Sequence, residues 1–292
     1  MNLSVKTRTL NFFRNIFKFP VLEKPLASLT RGKSPNHFFS KLIPNHYQYP
    51  LSSFRDIEVN GIKLRVDVGD YIGHCIYFGF NGTERKSYEK LFSLCRPDFY
   101  IVDIGANIGY TSLVMSSLVK TGAVVGFEPD PYSYQQILGN YKRNKQTNVK
   151  CYNIGLGEQS GIAFLEERLE TCRGANRIAA KDVSGIEIKL DTFDTIFPQL
   201  DFKKIDLIKI DVEGYELKIL RGAKEILKRF KPLLFIEVDE NNLKDQGDSA
   251  KELIFFLQEL GYNQITQADQ DEQINHLINF DECHFDLIAQ VK

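Results

Sequence analysis

Short apolar runs alternate with helical patterns from residue 97 onward, and this alternation limits the possible folds more than any other feature. The apolar runs predict buried strands at 99–104, 123–127, 149–154, 205–210 and 233–238, with later strands near 263–266 and 284–291. Amphipathic patterns predict helices at 110–119, 131–144, 215–229 and 249–260. Such alternation is typical of a parallel sheet with helices on both faces. We therefore predict an α/β, Rossmann-like domain with a mostly parallel, seven-stranded sheet.

A polar side chain follows or closes each of the five central strands. These residues are Asp103, Glu128, Asn153, Asp211 and Glu237. Ligands of open α/β sheets bind outside the carboxyl ends of the strands, near the point where the strand order reverses. A set of five polar ends is hard to explain as a solvated surface, so we expect the functional site at this edge.

The loop from Asp103 to Gly109 is the first candidate cofactor site. Gly105 permits a tight turn and a close approach of a ligand to the backbone, and Gly109 removes a side chain where the helix begins. The spacing differs from the GxGxxG pattern that holds a pyrophosphate. A carboxylate at Asp103 would repel a diphosphate but suits an ammonium group, which favours S-adenosylmethionine over NAD. The alternative is a plain strand–helix turn.

The next two strand ends extend this candidate site. Glu128, followed by Pro129, is placed to accept hydrogen bonds from ribose hydroxyls. Alternatively, Glu128 is an acid near the start of a helix, where the helix dipole stabilises its negative charge. Asn153 and Gly155 are in the right order to flank an adenine, and a glycine-rich turn into a hairpin is the alternative.

Two carboxylates, Asp211 and Glu213, follow the fourth strand of the predicted sheet. They point the same way if the strand continues through them. Methyl transfer to a hydroxyl needs positioning and a group that accepts the proton, and Asp211, Glu213 or Glu237 can do this. Alternatively, Glu213 and Glu216 are acids at the start of a helix, where the helix dipole stabilises their negative charge.

Several motifs in the same order resemble the FkbM-type methyltransferases. They are Val102–Tyr110, Gly126–Pro131, Lys209–Glu216 and Leu220–Ala223, with Arg173–Ile178 and Leu190–Asp191 also similar. The resemblance implies a class I methyltransferase fold, S-adenosyl-L-methionine as cofactor, and O-methylation of sugars, polyketides or related hydroxyl compounds. It also implies cofactor roles for Asp103, Gly105, Asn107, Gly109 and Glu128, with Asp211 and Glu213 at the reaction centre.

The polar insertion between 166 and 183 supplies candidate substrate residues. Arg173, Asn176 and Arg177 carry donors that suit a hydroxylated or anionic acceptor such as a glycan, and an ordinary loop is the alternative. Glu237 is the third predicted substrate contact. Carboxylates from Glu237 to Asn241, with Asp211, offer oxygen ligands for a divalent cation, although we predict no metal site.

The first 96 residues are predicted to form two segments before the methyltransferase domain at 97–292. Residues 1–50 form a basic, aromatic extension that either packs on protein or lies on an anionic membrane surface. Residues 51–96 form a hairpin about Asn60-Gly61, a strand at 72–80 and a helix at 84–94. Prolines between 20 and 50 are expected to break any long helix.

Composition excludes several classes of protein. A net charge of -1 gives no global basic surface for nucleic acid. Five widely spaced cysteines indicate reduced thiols, and no apolar run suits a membrane span or signal peptide. We therefore expect a cytoplasmic methyltransferase acting on a small molecule or glycan, with residues 1–50 as a candidate contact to the inner face of the membrane. An NAD-dependent oxidoreductase and a non-catalytic cofactor-binding protein are the alternatives.

Overall fold

The computed structural model describes residues 4–34, 36–79, 84–166, 172–179, 185–270 and 272–291. Its strands are β1 Phe54–Val59, β2 Ile62–Asp67, β3 Tyr100–Ile104, β4 Ala123–Phe127, β5 Val149–Tyr152, β6 Gly155–Leu156, β7 Gly161–Glu166, β8 Arg177–Ile178, β9 Ile186–Asp191, β10 Leu207–Ile210, β11 Leu233–Asp239, β12 Gln264–Gln267 and β13 His284–Gln290. Its α-helices are α1 Val5–Arg14, α2 Pro20–Thr30, α3 Tyr71–Phe78, α4 Glu84–Leu94, α5 Tyr110–Leu118, α6 Pro131–Asn144, α7 Phe193–Ile196, α8 Glu216–Gly222, α9 Lys224–Phe230, α10 Glu240–Asp245 and α11 Ala250–Glu259.

The chain divides into two compact units. The N-terminal unit comprises Met1–Arg85 with Leu169–Gly174, and the sheet unit comprises Lys86–Arg168 with Ala175–Lys292. The division separates the two ends of the polar insertion, which the sequence alone assigned to one domain. The domain boundaries at 50 and 96 stay a prediction.

The sheet unit contains the predicted seven-stranded sheet, in the order β12-β13-β11-β10-β3-β4-β5. The strands from β11 to β5 are parallel, and β13 and β12 run antiparallel at one side. From β3 the chain proceeds outward to β4 and β5, then returns to place β10 beside β3. The order therefore reverses between β3 and β10, where a ligand crevice is expected.

The two faces of this sheet differ in chemistry, because neighbouring residues of a strand point to opposite sides. One face carries apolar residues such as Val102, Ile208 and Ile236, which pack in one core with residues of α8, α9 and α11. The other face carries Asp103, paired in register with Lys209. The charged side chains thus lie opposite the main apolar core.

A smaller, four-stranded sheet in the order β6-β9-β7-β8 follows β5. Its β7 and β9 pair antiparallel, which confirms the predicted hairpin-like insertion. Leu165, Ile178, Ile188 and Leu190 form its core. The loop predicted at 166–183 includes β8, and its residues 167–171 and 180–183 lie outside the described part of the chain.

The N-terminal unit confirms the hairpin about Asn60-Gly61, where both residues adopt positive φ. The strand predicted at 72–80 is wrong, because this apolar run forms α3. Asp70 caps α3 by accepting from the N–H groups of Ile72 and Gly73, and Gly79 ends it with φ +75°. A Cβ at Gly73 would lie 2.1 Å from the Asp67 carbonyl oxygen, so glycine allows the close approach to β2.

The helices of this unit are short. Pro20 begins α2 at its first position, and Pro25 lies inside α2, where it removes one backbone hydrogen bond without ending the helix. Among the described residues, we find no helix with the length and apolarity needed to cross a bilayer.

Candidate active site

The loop after β3 owes its shape to residues with positive φ. Gly105, Asn107 and Gly109 have φ values of +78°, +51° and +82°. A Cβ at Gly105 would lie 1.9 Å from the carbonyl oxygen of Asp211, the residue that follows β10. The backbone N–H of Asp211 in turn donates to the carbonyl of Ile104 at 3.2 Å. The two strand ends at the reversal point therefore touch, and only glycine fits at position 105.

Asp103 lies beneath this loop and is 0% exposed. Its Oδ2 accepts hydrogen bonds from the hydroxyls of Thr111 at 2.7 Å and Ser112 at 2.5 Å, both on α5. Its Oδ1 lies 3.4 Å from the Nζ of Lys209. The structure thus gives Asp103 a supporting role between α5 and β10. Its contact with the ammonium group of a cofactor stays a prediction.

Glu128 holds the other side of the loop. Its Oε2 accepts from the backbone N–H of Asn107 at 2.8 Å, and its Oε1 accepts from that of Asp130 at 2.9 Å. Burial raises the pKa of Glu128 to about 8, against the opposing effect of these two hydrogen bonds. The same carboxylate predicted to bind a ribose therefore also fixes the cofactor loop.

Asn153 fixes the segment that carries Glu128. Its Nδ2 donates to the carbonyls of Glu128 and Pro129 at 2.8 and 2.9 Å. Gly155 begins β6, and a Cβ there would lie 3.1 Å from Leu190 Cδ1. Asn153 and Pro129 thus adjoin the predicted ribose site, whereas Gly155 belongs to the small sheet.

Lys209 is the functional residue that the sequence interpretation missed. It is 2% exposed, and its Nζ donates to the Gly105 carbonyl at 2.9 Å and lies 3.2 Å from Asp211 Oδ2. Burial lowers the pKa of Lys209, but the carboxylates of Asp211 and Asp103 more than offset this, so the pKa is raised. One buried cation thus links the cofactor loop to the predicted reaction centre. A lysine within an apolar strand was the available signal.

The turn from Asp211 to Glu216 is held by side chains on both sides. Glu216 Oε1 accepts from the backbone N–H groups of Val212 at 3.2 Å and Gly214 at 3.0 Å. Glu213 has φ +57°, and its Oε2 accepts from Asn242 Nδ2 at 2.7 Å. A strained backbone conformation at a non-glycine residue is found most often at functional sites. Glu216 therefore stabilises the turn, while Asp211 keeps a side chain that is 28% exposed.

A row of carboxylates crosses the sheet edge from β13 to β10. Asp286 pairs in register with Glu237, and Glu237 lies beside Asp211, whose charge acts on it. Burial and the neighbouring charges of Asp211 and Glu213 raise the pKa of Glu237 well above its usual range. Burial raises the pKa of Asp286 to about 6, although a hydrogen bond from Ser87 opposes this. Burial and these neighbouring charges therefore disfavour the ionised form of Glu237, and the row carries less charge than its sequence suggests.

Helix α4 adjoins this row. Ser87 contacts Asp286, and the hydroxyl of Tyr88 lies 3.4 Å from Asp211 Oδ2. Tyr88 stacks on Phe92, which in turn contacts Tyr110 edge-on at the start of α5. Aromatic rings therefore lie beside the partly exposed carboxylate of Asp211, and the sequence pattern assigned Tyr88 and Phe92 only to a helix. The residues described by the structure include no group of three or more side chains suited to a metal ion.

The predicted substrate residues of the insertion lie in different units. Arg173 belongs to the N-terminal unit, where its backbone N–H donates to Asp70 Oδ2 at 2.7 Å. Asn176 belongs to the sheet unit, and both polar atoms of its amide are buried without a hydrogen-bond partner among the described residues. Arg177 pairs with Glu166 at 3.2 Å and Asp245 at 2.6 Å. Asn176 is thus the one of these three whose side chain has unmet hydrogen bonds.

Comparison with known proteins identifies the family of this protein. The sequence profile of the methyltransferase FkbM domain matches residues 103–263, more than half of the chain. The chain belongs to the FkbM methyltransferase family. The matched region begins at Asp103 and includes Glu128, Asp211 and Glu237. The predicted family and class I methyltransferase fold are confirmed, and S-adenosylmethionine is the cofactor of the family.

Individual relatives of this FkbM protein are distant. Methyltransferase sdnD of Sordaria araneosa is 28% identical over 43% of this chain and 61% of its own length. Hexuronic acid methyltransferase AglP of Haloferax volcanii is 25% identical over 65% of this chain and 74% of its own. The FkbM methyltransferase structure from Methylobacillus flagellatus gives a TM-score of 0.44 at 20% identity, over 75% of this chain and 55% of that one. Since the chain spans only about three fifths of the Sordaria protein, the relatives do not define the acceptor.

The residues of this FkbM site suit S-adenosylmethionine. Lys209 is already balanced by two carboxylates and donates to the Gly105 carbonyl of the loop, so it is not available for a pyrophosphate. The buried Glu128 carries carboxylate oxygens of the kind predicted to accept from ribose hydroxyls, and glycine at 105 keeps side-chain atoms out of the loop. A sulfonium with an amino acid moiety fits these groups better than a diphosphate does.

Proposed function

We propose that this FkbM methyltransferase O-methylates a hydroxyl group of a sugar, a glycan or a secondary metabolite, in the cytoplasm. The observation that carries the proposal is Asp211, a partly exposed carboxylate at the strand-order reversal, in backbone contact with the cofactor loop. An acceptor hydroxyl needs a proton acceptor within hydrogen-bond reach when it attacks. The five cysteines of the chain are widely spaced in the sequence with no CxxC pair, which suits reduced thiols in a reducing compartment.

Asp211 and Lys209 have complementary roles in the proposed reaction. Bound S-adenosylmethionine supplies the methyl group on its sulfonium. As the acceptor oxygen bonds to the methyl carbon, the methyl–sulfur bond would break and S-adenosylhomocysteine would leave, while the hydroxyl proton would pass to the Asp211 carboxylate. Lys209 holds Asp211 and the Gly105 carbonyl together, so that proton acceptor and cofactor loop keep a fixed separation. Glu213, held by Asn242, orients the acceptor from the other side of the turn.

The charges around Asp211 favour an acceptor rich in hydroxyl groups. Carboxylate oxygens accept hydrogen bonds from adjacent hydroxyls, and Glu237, when protonated, can also donate one. A phosphate backbone would be repelled by Asp211 and Glu213, which argues against nucleic acid as the acceptor. Asn176 is proposed as a further substrate contact because its buried amide has no hydrogen-bond partner in the part of the chain that the structure describes. Arg173 stays a proposed contact on the basis of its sequence position.

Two alternatives lead to different measurements. The family match favours methyl transfer over an NAD-dependent oxidoreductase, and tight binding of S-adenosylhomocysteine with no binding of NADH would support this. A non-catalytic cofactor-binding protein would bind S-adenosylhomocysteine equally well but would methylate none of the acceptors.

The test is a transfer assay with methyl-labelled S-adenosylmethionine and a panel of neutral sugars, uronic acids, hydroxylated metabolites and transfer RNA. We expect label in a hydroxylated acceptor, and the product should withstand alkali, because a methyl ether does and a methyl ester does not. Label only in uronic acids, and lost in alkali, would instead indicate carboxyl methylation.

The same assay tests the role of Asp211. We expect Asp211→Asn to lower kcat by about a hundredfold or more while the Kd for S-adenosylhomocysteine changes little. Asp201→Asn, at an exposed position of the sheet unit, is the matched control and should leave kcat unchanged. Normal turnover by Asp211→Asn would refute the proposed proton acceptor.

A further inference from the structure

Helix α1 exposes its aromatic side chains and packs through a polar one. Phe12 and Phe13 are 75% and 65% exposed, whereas the preceding residue, Asn11, is 8% exposed. Asn11 Nδ2 donates to the hydroxyl of Tyr47, and its Oδ1 accepts from Asn45 Nδ2 at 2.9 Å. A helix on the surface of a globular protein normally shows the reverse arrangement. The exposed side of α1 is therefore suited to contact with an apolar surface.

The apolar surface continues beyond α1. We call it the aromatic face, and it consists of Val5, Phe12, Phe13, Ile16 and Phe19, each more than half exposed. Val21 at the start of α2 and Phe38 are further exposed apolar side chains of the same segment, at 82% and 68%. Single exposed apolar side chains are ordinary, but this many large ones within residues 5–38 indicate an interaction surface.

The charges of the same segment are almost entirely positive. Residues 1–50 contain eight lysines and arginines and one acid, Glu23. Glu23 is 1% exposed and is neutralised by Arg55, whose Nε lies 2.5 Å from its Oε1. Arg14 donates to the Lys41 carbonyl, a neutral partner that leaves its charge in place. Arg8, Lys24, Arg31, Lys33 and Lys41 are all exposed. The exposed part of this segment is thus cationic and apolar at once.

We propose that the aromatic face docks on a membrane surface containing anionic lipid, with the phenylalanine rings at the acyl boundary and the basic side chains at the headgroups. Basic residues beside exposed phenylalanines are the combination that binds such interfaces. A second copy of this chain is disfavoured, because a two-fold interface would bring two cationic faces together. The docking goes beyond the proposed transfer reaction and does not depend on it.

The experiment is co-sedimentation of the full chain with vesicles of phosphatidylcholine alone and of phosphatidylcholine mixed with phosphatidylglycerol. We expect binding only to the anionic vesicles, and weaker binding at high salt because the attraction is screened. Phe12→Ser with Phe13→Ser should weaken binding at least about tenfold, since two rings no longer enter the interface. Arg8→Gln, Lys24→Gln and Lys33→Gln together should weaken it about a hundredfold.

The control variant is Ile162→Ser, which removes an exposed apolar side chain of β7 and should leave vesicle binding unchanged. Unchanged thermal unfolding and S-adenosylhomocysteine binding in every variant show that the fold is intact. Failure of the full chain to bind anionic vesicles, or equal binding to both kinds, overturns the proposal. Light scattering that shows a dimer abolished by the phenylalanine substitutions also overturns it, in favour of a second copy.

Discussion

Positive charge is buried and paired with carboxylates at the carboxyl edge of the large sheet, whereas most of it is exposed in the N-terminal segment. At the sheet edge, Lys209 is 2% exposed and has two carboxylates within 3.4 Å. In residues 1–50, eight basic side chains accompany one acid, which is itself neutralised by Arg55. A buried charge must find its counterion within the chain, because desolvation is costly. An exposed set of charges needs no internal counterion, and its partner can therefore be another molecule.

The same contrast holds for apolar groups. In the core of the sheet unit, large apolar side chains such as Phe127 and Phe235 are 1% exposed, whereas α1 turns Phe12 outward and Asn11 inward. We therefore expect the apolar core of the sheet unit to contribute strongly to stability, and helix α1 to contribute mainly through its polar contacts. Four predictions examine this difference, from the largest expected effect to the smallest.

Replacing Lys209 by Met should have the largest effect. It leaves Asp103 and Asp211 without their cation in a buried setting, so we expect a loss of about 3–5 kcal/mol in the free energy of unfolding, measured in urea. The double variant Lys209→Met with Asp103→Asn should recover part of the loss, because it removes one of the unpaired charges. A change below about 1 kcal/mol would mean that the ion pairs do not stabilise the sheet.

Replacing Gly105 by Ala tests the contact between the two strand ends. The positive φ and the overlap with the Asp211 carbonyl together predict a loss of about 3 kcal/mol, with weaker S-adenosylhomocysteine binding. Gly247 is the matched control, since its φ is +80° but no atom lies within 4 Å of an added Cβ. Gly247→Ala should cost about 1 kcal/mol, from the backbone alone. Equal losses in the two variants would show that the contact with Asp211 is unimportant.

The third prediction concerns the pH dependence of cofactor binding. Burial raises the pKa of Glu128 to about 8, and ribose hydroxyls bind best to its ionised form. Below about pH 8 binding must therefore release a proton, so affinity for S-adenosylhomocysteine should increase by up to about tenfold per pH unit and level off above. The measurement is calorimetric titration from pH 6 to 9 for the wild type and Glu128→Gln. A slope that is the same in both would assign the pH dependence to another group.

The smallest effects are expected in α1. Asn11→Ala removes hydrogen bonds to Tyr47 and Asn45 and should lower the free energy of unfolding by about 1–2 kcal/mol. Phe12→Ala removes a larger side chain but should change it by less than about 0.5 kcal/mol, because the ring is mostly exposed. Thermal or urea unfolding of both variants compares them directly. A larger loss for Phe12→Ala would show that the ring is buried in the folded protein in solution.

Much of the architecture was predictable from the sequence because its signals are local. The alternation of apolar runs and amphipathic segments indicated the seven strands of the sheet, and Asn60-Gly61 indicated the hairpin. The glycines at 105 and 109 marked the loop that the structure shows at positive φ. The order of the motifs along the chain, from Asp103 to Asp211, was enough to indicate the family, and the profile match confirms that family.

Other features depended on contacts that no local pattern encodes. The run at 72–80 has the composition of a strand, but Asp70 and Gly79 close it as α3. In the sequence, Lys209 is a single charged residue within an apolar run. Only the register of β10 with β3 places it beside Asp103. Asp286 joins Glu237 only through the antiparallel pairing of β13 with β11.

Sequence alone thus determined most of the segments that form strands and helices, the run at 72–80 excepted, since side-chain periodicity and turn residues act over a few positions. Tertiary structure decided which charges meet and which faces stay exposed, because strand register and burial are set by residues distant in the chain. That is why Asp211 was predicted as a candidate proton acceptor from its motif, whereas Lys209 beside it and the outward turn of Phe12 became visible only in the folded protein.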